Sequence, residues 1–345
     1  MIRINLNFNN LKIFYLIALI SICSSYLVSI SNFHQSNFSY PKEDQLLFLQ
    51  DTDQLLSTES YTTHSPISIN SDTDFLTYSF NGDGTSANPY MIESYNISST
   101  GSSSMAIDIR NTNAYFIIRN CIVYSEYIGI GLHNVAPNTS KILNNKIIGT
   151  LGDGGAILLG NMQNSTIDNN ICTNFMAGIH LNYASYCKIV NNYIYDINYQ
   201  GINLRYSGSN LIQLNTIRNA REHAIALVGT SDNNIIHHNT LDGNTWATSY
   251  NIDGQQYGAP SSQAYDEGSQ NIWYDVINKK GNYWSDYFGV GTYKIDGSAN
   301  SIDLYPSHTT GFTWFLLIVI ISSIGVVLVL IIFIVRFYKK RRNSD

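Results

Sequence analysis

The chain has 345 residues, 44% of them hydrophobic and 13% charged, with a formal net charge of −6 and a pI of about 5.7. That balance excludes the basic stripe by which nucleic-acid binders neutralise phosphates, so no nucleic-acid partner is expected. Abundant Ile and Tyr with sparse charge exclude a disordered chain. Forty residues are Asn and 25 are Tyr, which disfavours helix interiors and favours a turn-rich β architecture.

The first element, residues 1–30, carries Arg3 and Lys12 ahead of an apolar run from Ile13 to Ile30. It reads as a signal peptide or an uncleaved signal-anchor. A lipoprotein reading of Cys23 fails because Ile22 before it is not small. Residues 31–75 are polar and rich in Ser and Thr, and read as a leader or stalk, with a short helix over Gln45–Leu56.

Residues 76–306 read as a parallel β-helix with end caps, and from about 104 to 244 the sequence repeats itself. A small residue followed by Ile-x-Leu or its equivalent opens at Ala106, Gly129, Ala156, Gly178, Gly201 and Ala224, in steps of 23, 27, 22, 23 and 23. An I-x-x-N-x-I element places Asn at 120, 145, 170, 192, 215 and 239, in steps of 25, 25, 22, 23 and 24. Two elements in fixed order with a period near 23 residues define a parallel β-solenoid, each repeat forming one coil. Alternation turns the Ile and Leu of each tetrad inward. Asn120, Asn145, Asn170, Asn192, Asn215 and Asn239 are expected to stack as an amide ladder, each amide bonding the next coil. Isolated coils cannot bury an inner face, so the ends need caps. The leading cap includes Asn81-Gly-Asp-Gly84, and the irregular segment 245–311 places Trp273 and Trp284 over the last coil.

The last element is Phe312–Val335, 24 residues without a charge. As a helix it would rise about 36 Å, enough to span a bilayer. Arg336, Lys339, Lys340, Arg341 and Arg342 in the tail 336–345 set that flank cytoplasmic and the rest of the chain outside, at a cell membrane crossed once. Asn37, Asn96, Asn138 and Asn164 open four sequons in the external part. Cys121, Cys172 and Cys187 form no CxxC pair and read as buried or free thiols.

The repeats, the lead-in Asn88-Pro-Tyr-Met-Ile-Glu93, the run Gly281-Asn-Tyr-Trp-Ser-Asp-Tyr287, then Tyr293-Lys-Ile-Asp-Gly297 and Asp303-Leu-Tyr-Pro306 resemble the NosD-like right-handed parallel β-helix family over about residues 80–306. The resemblance implies a right-handed β-helix related to carbohydrate-binding and sugar-hydrolase folds, and a membrane-tethered surface protein of archaeal type. The family prototype is linked to copper-site maturation, a function that fold alone does not transfer.

The chemistry is sparse. His237-His238 is the only adjacent histidine pair. Neighbours on a strand point to opposite faces, so the pair is not expected to share a metal, and no metal or cofactor site is expected. Asp83 and Asp153 lie in Gly-rich turns, read as ordinary turns. Hydrolysis of a glycoside needs two carboxylates on one face, and the outward tetrad positions offer only Asp108. His180 and Arg205 fall on neighbouring coils of one face, with Asn182, Asn203, Tyr183 and Tyr206 around them. That set suits glycan recognition, and a structural or recognition module binding glycans or cell-envelope proteins is the leading expectation. A polysaccharide lyase or hydrolase is the alternative, and a copper-maturation accessory the second alternative.

Overall fold

Inward Ile and Leu at every second position can be satisfied only if each coil stacks on the next, and they are. A computed structural model describes residues 60–307, apart from 102, 151, 153 and 253, together with 334 and 336. The N-terminal apolar run, Asn37, the helix expected over 45–56, Asp153 and, but for Ile334 and Arg336, the 312–335 span and basic tail lie outside these residues. Among the described residues, no helix is long and apolar enough to cross a membrane. The chain divides into Met1–Ser60 and Tyr61–Asp345, and the solenoid lies in the second unit.

Three parallel sheets of nine, eight and seven strands form the walls. Each coil visits the first, second and third sheet in turn, as in Lys146–Ile148, Gly155–Gln163 and Thr166–Asp168. The six tetrads are six of the eight strands of the second sheet; Ile67–Ile69 precedes them and Ala264–Asp266 follows. Strand register puts Ile107, Ile130, Ile157, Ile179, Ile202 and Ile225 in one column, and Ile109, Leu132, Leu159, Leu181, Leu204 and Leu227 in another. All twelve are fully buried, each contributing roughly 1.5–3 kcal/mol relative to exposure. The small residue opening each tetrad is set by coil spacing: a Cβ on Gly178 would lie 2.4 Å from the Gly201 carbonyl oxygen.

The corner between the third and first sheets holds the amide ladder. Asn145, Asn170, Asn192, Asn215 and Asn239 are buried there. Asn192 Nδ2 donates to Asn215 Oδ1 at 2.9 Å and to the Ile167 carbonyl at 3.0 Å, while its Oδ1 accepts from the Asn170 backbone N–H at 2.9 Å. Asn120 is not a rung. It sits one residue early, in the left-handed conformation (φ 51°) shared by Asn144, Asn169 and Asn191 just before their own rungs. The rung of that coil is Cys121, whose N–H donates to Asn145 Oδ1 at 3.0 Å. Asn-Asn doublets in later coils make the two positions easy to exchange when only the spacing is read.

Two expected boundaries also move. Part of the polar leader is solenoid: Thr62–His64 and Ile67–Ile69 pair with Tyr95–Ser99 and Met105–Arg110. The trailing segment is not wholly irregular, because Ala264–Asp266 and Tyr283–Trp284 extend the second and first sheets. Trp273 and Trp284 are fully buried with ring centroids 6.2 Å apart. Their indole N–H groups donate to two buried carboxylates, Asp266 at 3.0 Å and Asp303 at 2.9 Å. Cys121, Cys172 and Cys187 are buried free thiols, and burial pushes the first and last up to about 11.

The ladder assignment makes a comparison. Asn192→Ala leaves the Asn170 backbone N–H without its acceptor, breaks the amide column toward Asn215 and removes the amide donor to the Ile167 carbonyl, and should cost about 2–4 kcal/mol in denaturant melts. Asn120→Gly, at a left-handed corner outside the ladder, should stay within about 0.5 kcal/mol of the parent. Equal losses would remove the distinction between the two positions.

Candidate functional site

Side chains that alternate with the buried Ile and Leu columns line the outer face of the second sheet. Register brings His180 opposite Asn203 and Asn182 opposite Arg205 on adjacent coils, about 4.8 Å apart. All four are half-buried. His180 Nε2 and Asn182 Oδ1 have no hydrogen-bond partner among the described residues. Burial, and then the Arg205 charge, lower the His180 pKa, which favours the neutral imidazole.

Just beyond Asn182 and Arg205 the backbone reaches a left-handed corner, inside the strand Ala177–Ser185 and at the end of Ile202–Arg205. Asn111, Asn134 and Asn161 occupy that corner in earlier coils and Gly229 in a later one, residue types that tolerate positive φ. Tyr183 (φ 54°) and Tyr206 (φ 49°) occupy it in between. An aromatic residue there is costly, roughly 1–2 kcal/mol each. The two rings stack with centroids 4.9 Å apart and planes within 19°. Tyr183 remains 56% exposed, and the Arg205 guanidinium lies 5.4 Å from the Tyr206 ring centroid. A Cβ on Gly229 would come within 2.5 Å of the Tyr206 ring, so glycine gives the stack its room. The site residues expected from the sequence therefore stand together as one ledge: an aromatic pair beside imidazole, amide and guanidinium groups.

Both ends of this face are closed or shaped by features the repeats do not encode. Toward the N-terminal coils lies a cleft of about 440 Å³ lined by Ser68, Ser98, Thr100, Ser104, Met105 and Asp108. Asp108 is neutralised by Arg110 at 2.7 Å. Toward the C-terminal coils, the hairpin Tyr250–Ile252 and Gln255–Tyr257 packs with Tyr265 on the outward Ala226 and Val228. His223 is fully buried beneath it, edge-on to Tyr250 at 4.6 Å, with Nε2 3.5 Å from Asp296 Oδ2. Glu222 is only 5% exposed and accepts from the Gln200 amide, whose carbonyl in turn accepts from Asn203 Nδ2 at 3.1 Å. Burial raises the Glu222 pKa to about 7, against the pull of the Asn251 backbone and Arg221. This cluster pins the hairpin. Sequence reading missed it because the hairpin interrupts the repeat.

Strand alternation does not hold for the histidine pair. His237 ends the strand Ile235–His237, but His238 has φ 57° and is no longer in the strand. Alternation therefore does not apply, and the two Nδ1 atoms face each other at 2.6 Å. The signal was readable: His238 immediately precedes the ladder residue Asn239, the place of the left-handed Asn in earlier coils. Of the sequons, Asn138 is exposed, Asn96 and Asn164 are half-buried, and Asn37 lies outside the described residues. Asp83 closes an ordinary turn by accepting from the Thr85 N–H at 3.0 Å.

Residues 134–264 match the family described as right handed beta helix region. The match runs from the left-handed corner at Asn134 to the second-sheet strand at Ala264, the central coils of the stack. No curated protein matches the chain. Coils and match together support a right-handed parallel β-helix repeat protein, a fold consistent with a surface module or a carbohydrate-related protein.

The Glu222 shift predicts a pH dependence. The carboxyl stays protonated to about pH 7 when folded but ionises near its ordinary value when unfolded. Its contribution to stability is present in full below the unfolded pKa and is lost as pH rises through the folded one. Relative to Glu222→Gln, the parent should lose on the order of 1 kcal/mol between pH 4.5 and 8. Parallel stability–pH curves for the two proteins would contradict the assignment.

Proposed function

We propose that this chain is a cell-surface recognition module that binds a glycan along the outer face of the second sheet. The observation that carries the reading is the Tyr183–Tyr206 pair. Two aromatic residues are held at a corner where other coils use Asn or Gly, and strain retained in a fold marks a position under functional demand. Their stacked rings offer an apolar platform for a sugar ring, as aromatic faces do. Asn182, Asn203, His180 and Arg205 supply donors and acceptors for hydroxyl groups at a regular coil spacing, which suits a linear chain of repeating units.

The uncharged span 312–335 and its basic flank support a single-pass anchor with the solenoid outside, and the 1–30 segment supports export. Such a module meets glycans or envelope proteins at the cell surface. The finer likeness to NosD-like, archaeal surface proteins rests on the repeats, the lead-in 88–93 and the motifs between 281 and 306. A hydrolase or lyase has weaker support, because the outward Asp108 is paired with Arg110 and Glu222 is buried.

The test is a glycan and polysaccharide array with the purified full-length chain, followed by a product assay on every hit. We expect binding without turnover. Tyr183→Asn and Tyr206→Asn install the residue that other coils use at this corner, so they should fold at least as well while weakening binding about tenfold or more. Absence of any hit sinks the reading, and turnover replaces it with the enzyme.

A further inference from the structure

We propose that His237, His238 and Asp275 form a binding site for a divalent transition-metal ion, with zinc as the reference ion. One ligand atom from each of the three lies within 4.8 Å of the others. The two Nδ1 atoms at 2.6 Å are too close for two bare lone pairs, so in the metal-free protein one proton sits between them. A cation replaces that proton. Zinc–nitrogen bonds of 2.0–2.1 Å in a tetrahedral site place two ligating nitrogens about 3.3 Å apart, an opening of less than 1 Å that small rotations of the two rings provide.

The scaffold around the cluster is fixed by bonds that do not use the ligand atoms of the rings. The His237 carbonyl accepts from the ladder amide of Asn239 at 3.2 Å. The His238 N–H donates to the Gly281 carbonyl at 2.9 Å. Asp275 comes from a separate turn, closed by its own N–H on the Lys280 carbonyl at 2.7 Å. Its Oδ1 accepts from the Ile277 and Asn278 N–H groups at 2.9 and 3.0 Å, and its Oδ2 from Asn278 Nδ2 at 2.7 Å. A carboxylate oriented this way retains lone pairs for a metal while its direction is set by outer hydrogen bonds, the usual support of a metal site.

The donor set selects the ion. Two imidazoles and one carboxylate suit zinc and its transition-metal neighbours, whereas calcium and magnesium require oxygen ligands. Three protein ligands leave a fourth position for water or an external ligand, unlike the closed four-ligand sites that serve folding alone. His237 is nearly buried while His238 and Asp275 are half-buried, so the site sits at the surface of a corner. It owes nothing to the glycan ledge and stands or falls separately.

The experiment is a calorimetric zinc titration of the full-length chain after chelator treatment, with cobalt absorption as a second readout of coordination. The expected result is one zinc per chain, a tetrahedral cobalt spectrum, and no binding of calcium at the same concentration. His237→Ala, His238→Asn and Asp275→Asn should each weaken zinc by at least about tenfold. His238→Asn places at this corner the residue that Asn144, Asn169 and Asn191 supply elsewhere, and Asp275→Asn lies in a surface turn, so both remain informative if His237→Ala is unstable. Failure of the parent chain to bind a stoichiometric zinc ion overturns the proposal. So does undiminished affinity in folded His238→Asn and Asp275→Asn, which would assign zinc to other histidines.

Discussion

Every coil of this molecule depends on polar groups that are buried and yet fully bonded, because an unpaired amide in the interior costs more than a bonded one returns. The amide ladder solves this for one corner. Each rung accepts from the preceding coil and donates to the next, so all the amide dipoles point the same way. Such a chain polarises itself and needs an acceptor at its far end. Three ladders in this protein end alike. Asn282 donates to Asp303, Asn271 to Asp266, and Gln263, which bonds Asn244, to Asp286. The first two carboxylates are buried and also accept a Trp indole N–H. Burial raises the pKa of Asp266 and Asp303 while these donors pull it down. The C-terminal cap is therefore electrostatic as well as apolar: a carboxylate at the positive end of a column of aligned amides.

The start of the ladders has its own logic. Two of them begin at a cysteine, Cys121 and Cys187, whose backbone N–H opens the column by donating to Asn145 and Asn210. A thiol can fill a rung without demanding the bonds an amide would require from a coil that lacks the partner. That accounts for two of the three free cysteines among the described residues; Cys172 is instead a buried residue of the strand Ile171–Thr173.

The central coils were legible from sequence because one constraint, the inward aliphatic column, repeats with little variation from Ile107 to Leu227. Position within a coil was less legible. Asn120 and Asn145 look alike in a spacing count, yet one takes a left-handed corner and the other a buried rung, because Asn serves both purposes equally well. The second ladder, Asn210, Asn234 and Asn271, escaped notice for a related reason: its last step spans the inserted hairpin, which breaks the period. The same insertion hid Asp275, since a residue in a turn outside the repeat carries no register to align it with His238. The ledge residues were found because they share a strand face, where period two is reliable.

The left-handed corners connect these observations. Asn, Asp and Gly fill most of them, as steric limits require, and a solenoid gains nothing structurally by placing other residues there. Tyr183, Tyr186, Tyr206, Leu214 and His238 are bulky departures from that rule within a single stack. At Tyr183 and Tyr206, the departure exposes a stacked aromatic pair beside a polar strand face. At His238, it turns an imidazole out of strand alternation and onto its neighbour. In a fold whose walls are fixed by ladders and whose interior is fixed by aliphatic columns, corners are where a side chain can change without breaking a repeat. Chemistry added to such a scaffold is therefore expected at its corners, and a bulky residue at positive φ marks where to look for it.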